Sequence, residues 1–108
     1  MKNEEFKTVD KVNVLGEMFS VAMVDLIDDD STIFGKIDHL KNQILIRQGM
    51  AHEKRRIVLL HEIYHAVFQK LGFDEAMQDE QLINVIASSI IQLLRENPEM
   101  AKELASYE

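Results

Sequence analysis

The stretch His61-Glu62-Ile63-Tyr64-His65 gathers residue types that can hold a metal and move a proton. On a helix, side chains four residues apart stand on one face a turn apart, so His61 and His65 can offer imidazoles to one ion. Glu62 lies about 100° further round, near enough to reach a water on that ion without ligating it. Two ligands with a general base between them is the mechanical logic of the H-E-x-x-H pattern. With four histidines in the chain, a chance match is expected well under about one time in a hundred. The bland alternative is that both histidines flank a core stripe formed by Leu60, Tyr64, Val67, Phe68 and Leu71 and bond to backbone carbonyls. Two imidazoles and a carboxylate near a buried face leave polar groups that a metal would satisfy, and this favours the metal reading.

A zinc site needs a third protein ligand, and a chain without cysteine must supply it from His, Asp or Glu. Glu80, Asn84 and Ser88 recur at helical spacing, a narrow polar stripe on an otherwise apolar segment. Leu82, Ile83, Val85, Ile86, Ile90, Ile91, Leu93 and Leu94 fill most of the remaining surface. Glu80 as ligand, with Asn84 supporting a ligating histidine, gives that stripe a partner. A first-turn carboxylate favoured by the helix dipole is the plainer reading of Glu80, and Asp79 and Glu75 then compete for the metal. His52 lies about two and a half turns before His61, too far along the helix to share the ion. His39 falls in a turn, where a solvated histidine is ordinary.

The elements that must position these groups follow from periodicity and breakers. Strands are expected from Lys11 to Leu15, Met18 to Leu26, Ile33 to Asp38 and Gln43 to Arg47. Gly16-Glu17 makes a turn, Asp28-Asp29-Asp30-Ser31 a polar loop of solvated carboxylates, and His39-Leu40-Lys41-Asn42 a hairpin connection. The second half is helical. Met50 to Leu71 is stopped by Gly72, Asp79 to Glu96 is ended by Asn97-Pro98, and Pro98 opens a short last helix through Tyr107. The layout is a single α+β domain, a small antiparallel sheet followed by the H-E-x-x-H helix and a second apolar helix.

Composition narrows the function classes. The chain has 108 residues, 46% hydrophobic, which fits one domain with a modest core. A net charge of −7 disfavours phosphate-backbone binding and attachment to anionic membranes. Lys54, Arg55 and Arg56 read as a solvated face. There is no signal-like apolar start and no apolar run near the roughly 20 residues of a membrane span, so a cytoplasmic protein is expected.

The strand pair, Leu59-Leu60-His61-Glu62-Ile63-Tyr64-His65-Ala66 and the downstream Asp79-Glu80-Gln81-Leu82-Ile83-Asn84 resemble the ImmA/IrrE-type metallopeptidases. The likeness spans roughly residues 10 to 96 and is strongest to the short versions found in phages and prophages. It implies Zn2+ held by His61, His65 and Glu80, with Glu62 as catalytic base. It also implies cleavage or inactivation of a repressor-type regulator. Larger members carry an appended DNA-binding or other domain and an Ala-Asn-Phe-Ala-like sequence, where this chain has Asn84-Val85-Ile86-Ala87.

On this reading, a peptide substrate lies extended along an exposed edge strand, Gln43 to Arg47. Tyr64, His39, His52 and Tyr107 are the candidates for stabilising the oxyanion. A non-catalytic binding module on the same scaffold is the competing expectation, and a purely structural zinc with four protein ligands is a third.

Overall fold

The computed structural model describes residues 9–107. Its first half holds β1 (Lys11–Val14), β2 (Glu17–Val24), β3 (Gly35–Asp38) and β4 (Gln43–Arg47). The second half holds α1 (His52–Leu71), α2 (Asp74–Met77), α3 (Glu80–Glu96) and α4 (Pro98–Ala105). The α+β order is as expected from the sequence, with boundaries moved by a residue or two and with α2 added between Gly72 and Asp79. No helix among the described residues is long and apolar enough to cross a membrane.

Local chemistry accounts for the turns. Leu15 and Gly16 both take positive φ between β1 and β2, and Asn13 Oδ1 accepts the Gly16 N–H at 2.7 Å. Asp38 Oδ1 accepts from Leu40 and Lys41 N–H to shape the β3–β4 hairpin. In the aspartate loop, Asp28 pairs with Lys36 at 2.8 Å and Asp30 caps Thr32, so these carboxylates have local partners.

The sheet order is β1-β2-β4-β3. β1 with β2 and β3 with β4 are antiparallel, but β2 and β4 run parallel, so the sheet is mixed and not antiparallel throughout. The order also moves the exposed edge. β4 lies between β2 and β3, so among the described residues the edge strands are β1 and β3, not Gln43–Arg47, and β3 is the edge beside α1. The reason is hydrophobic. Ile44 and Ile46 of β4 are fully buried and take the centre, while the short β3, with its exposed Lys36, suits an edge.

One sheet face packs on α1. Val14, Phe19, Val21, Ile44, Ile46 and Ala66 form the core, with Val58, Leu59, Ile63 and Val67 of α1 against it. Each fully buried isoleucine contributes about 2 kcal/mol. The core side of α1 is thus offset from the expected stripe. Leu71 is exposed, and Tyr64 and Phe68 stack towards Phe73 beside α2. Arg55, expected on a solvated face, is buried because it shares the sheet-facing side of α1.

Gly72 ends α1 in the left-handed conformation at φ 80°, its N–H bonded to Gln69 O. The chain then reverses through α2, and Asp79 caps α3 by accepting the Leu82 N–H at 3.0 Å. α3 packs along α1 with Ile83 and Ala87 fully buried. This docking carries the polar stripe of α3 to the histidines.

Candidate metal centre

His61 and His65 project from the middle of α1, with side chains only 12% and 11% exposed. Glu80, in the first turn of α3, reaches across to both. Its Oε1 lies 2.7 Å from His61 Nε2 and its Oε2 lies 3.1 Å from His65 Nε2. The two Nε2 atoms are 3.2 Å apart. Ligands 2.0–2.1 Å from a tetrahedral ion stand about 3.3–3.4 Å from one another. The two imidazole nitrogens therefore stand near one edge of such a tetrahedron with a Glu80 oxygen close to each, and one donor atom from each of His61, His65 and Glu80 lies within 4.8 Å of the others, a group that could hold a metal ion.

The donor chemistry agrees with this fit. His61 Nδ1 lies 2.9 Å from Asn84 Oδ1, one helical turn beyond Glu80. A donated Nδ1–H leaves the Nε2 lone pair turned towards His65 and Glu80, the tautomer that a ligating imidazole requires. Two imidazoles, each with only 11–12% of its side chain exposed, and a carboxylate converge at contact distance, an arrangement that a bound cation would satisfy.

Glu62 is buried at 7% exposure, next to the histidines but outside the ligand triangle. Burial pushes its carboxyl up to about 7. His61 opposes that rise, and the nearby Glu80 charge adds to it. A carboxyl poised near neutrality can take and return a proton. Room for it comes from β3. A Cβ on Gly35 would stand 2.6 Å from Val58 Cγ1 and 2.9 Å from Glu62 Oε2, so the edge strand approaches α1 only because position 35 is glycine. Gly35 was not singled out from the sequence, although an isolated glycine inside a strand is the recognised signal for close backbone approach.

A cavity of about 250 Å³ opens over the centre, between His61, Glu62, Glu80 and Asn84 on the helices and Phe34 and Gly35 on the strand side. Along β3, Arg47 N–H bonds to Phe34 O. The antiparallel register then turns the N–H and C=O of Gly35 and Ile37 away from β4, towards the open edge.

The remaining candidates lie elsewhere. Asp79 is occupied as the α3 cap, and Glu75 is exposed on α2. His52 begins α1, His39 is in the β3–β4 turn, and neither belongs to the metal-competent group. None of Tyr64, His39, His52 and Tyr107 lines the cavity, and Tyr107 is fully exposed. No protein-family model matches the chain, nor does any curated protein or solved structure.

Proposed function

We propose that the chain is a zinc-dependent endopeptidase of the ImmA/IrrE-like kind, acting in the cytoplasm on a regulatory protein such as a repressor. The observation that carries this reading is the convergence of His61, His65 and Glu80 beside a buried Glu62, under an edge strand with free main-chain groups. A closed structural zinc would have no use for Glu62, and the group supplies three ligands, not four.

When bound, the zinc ion supplies a Lewis-acidic centre that polarises a peptide carbonyl and brings a coordinated water towards neutral pKa. His61, His65 and Glu80 hold it, and Asn84 fixes the His61 tautomer. Gly35 and Ile37 align the substrate as an added strand through their outward N–H and C=O groups. Glu62 accepts a proton from the attacking water and delivers it to the departing amine, so one water and one peptide bond become a carboxylic acid and an amine.

Metal content of wild type beside His61→Ala and Glu80→Ala tests the centre. About one zinc per chain is expected in wild type, lost in both variants. Carefully handled wild type without metal would end the proposal. Glu62→Gln should keep the metal and abolish cleavage. The competing reading is a metal-binding interaction module that acts by capture alone. That none of the four expected oxyanion candidates, Tyr64, His39, His52 and Tyr107, lines the cavity favours it, and biological activity surviving in Glu62→Gln would establish it.

A further inference from the structure

A second, larger hollow of about 1080 Å³ continues from the metal centre between α1 and α3. It shares Phe34, Val58 and Asn84 with the cavity over the ligands, so the two form one continuous cleft. The cleft follows α1 back towards its N-terminus. The Glu53–Arg95 pair at 2.8 Å ties the two helices together at that end. Ile57, Val58 and Val85 give it an apolar lining, and Val85 is 60% exposed.

Lys54 is the cation of this cleft. Its ammonium lies 3.9 Å from the centroid of the Phe34 ring, which holds the side chain over the cleft wall. Among the described residues no carboxylate pairs with it, whereas Arg95 is matched by Glu53. In a chain of net charge −7, a fixed positive charge in an apolar cleft selects by sign. Lys54 stands seven residues before His61 on α1, about 10 Å along the axis. An extended chain covers that distance in about three residues.

We propose that this cleft receives the substrate segment on one side of the scissile bond. An apolar side chain rests against Ile57, Val58 and Val85, and an Asp or Glu side chain about three residues from that bond meets Lys54. The inference rests on the peptidase reading and adds to it a substrate class, an apolar-acidic segment.

The test combines cleavage of a synthetic peptide library by the zinc-loaded protein with anisotropy binding of labelled apolar peptides carrying one glutamate or one lysine. Wild type should enrich Asp or Glu about fivefold near the third position from the cleaved bond and bind the glutamate peptide more tightly. Lys54→Glu should invert both preferences while its zinc content stays unchanged. Cleavage without an acidic preference, or with the same preference in Lys54→Glu, overturns the cleft assignment and leaves the peptidase standing. Sign-selective binding that inverts in Lys54→Glu, without cleavage by either protein, upholds recognition of an apolar-acidic segment by the cleft and overturns the peptidase, and with it the placement beside a scissile bond. Neither cleavage nor selective binding overturns both.

Discussion

His61 Nδ1 and Asn84 Oδ1 face each other at 2.9 Å across the packed α1–α3 interface. The contact joins two helices at the same place where Glu80 crosses between them, so one interface sets both the ligand geometry and the protonation of a ligand. Any metal held by this group would have its affinity coupled to how α3 docks on α1.

Removing the Asn84 acceptor should weaken metal binding more than it weakens the fold, because the side chain is exposed. Asn84→Ala is expected to lose about 10–100-fold in zinc affinity, while Asn84→Asp, which keeps an oxygen at that place, retains it. Competition with a chromophoric chelator at fixed pH reads the difference. Equal affinities in all three proteins would deny Asn84 any positioning role.

The Glu62 carboxyl gives the metal-free protein a pH-dependent liability. Burial raises it from the ordinary 4.5 to about 7. A carboxyl whose folded value lies above its unfolded value costs nothing below about 4.5, costs more as pH rises through that window, and reaches its full cost above about 7. Glu62→Gln removes the cost. With chelator present, the variant should match wild type near pH 4.5 and exceed it at pH 8 by up to about 3 kcal/mol. Urea midpoints at the two pH values measure this, and an equal difference at both would contradict the assignment. Bound zinc should erase the gain, since its positive charge favours the carboxylate.

Features fixed by local chemistry were legible in the sequence. Gly72 and Pro98 mark helix ends through their own backbone preferences, and four-residue spacing puts His61 with His65 whatever surrounds them. The stripe Glu80–Asn84 does meet the histidines of α1, because polar groups at helical spacing need a common partner. Strand order was not legible, since nothing local tells β4 to enter between β2 and β3. The edge assignment failed for that reason, and the substrate strand with it. Arg55 was misplaced because its burial depends on which face of α1 meets the sheet. The same ambiguity put Leu60, Tyr64 and Leu71 in the core when Leu59, Ile63 and Ala66 fill it.

Metal should stabilise the fold, because its ligands come from two helices that separate on unfolding. Zinc at a thousand times its Kd adds about 4 kcal/mol, which for a domain of this size raises Tm by roughly 15–30 °C. Thermal melts by circular dichroism, with zinc or with chelator, should show this rise in wild type. His65→Ala and Glu80→Ala should lose most of it. A full rise in either variant would place the zinc at other ligands.

Gly35 is where strand and helix press closest, and its substitution separates packing from chemistry. Its φ lies outside the positive region, so alanine is acceptable to the backbone and the penalty is steric. The added methyl would meet Val58 Cγ1 at 2.6 Å and Glu62 Oε2 at 2.9 Å. Overpacking of this kind costs about 1–3 kcal/mol, and Gly35→Ala should lower the urea midpoint accordingly. Adding Val58→Ala clears the nearer contact, so the double variant should be more stable than the sum of the two single changes predicts. The contact with Glu62 remains in the double variant. Peptide cleavage should therefore stay depressed even where stability returns. Recovery of both together would mean that Gly35 serves packing alone, and full stability in Gly35→Ala itself would mean that β3 can retreat from α1 at no cost.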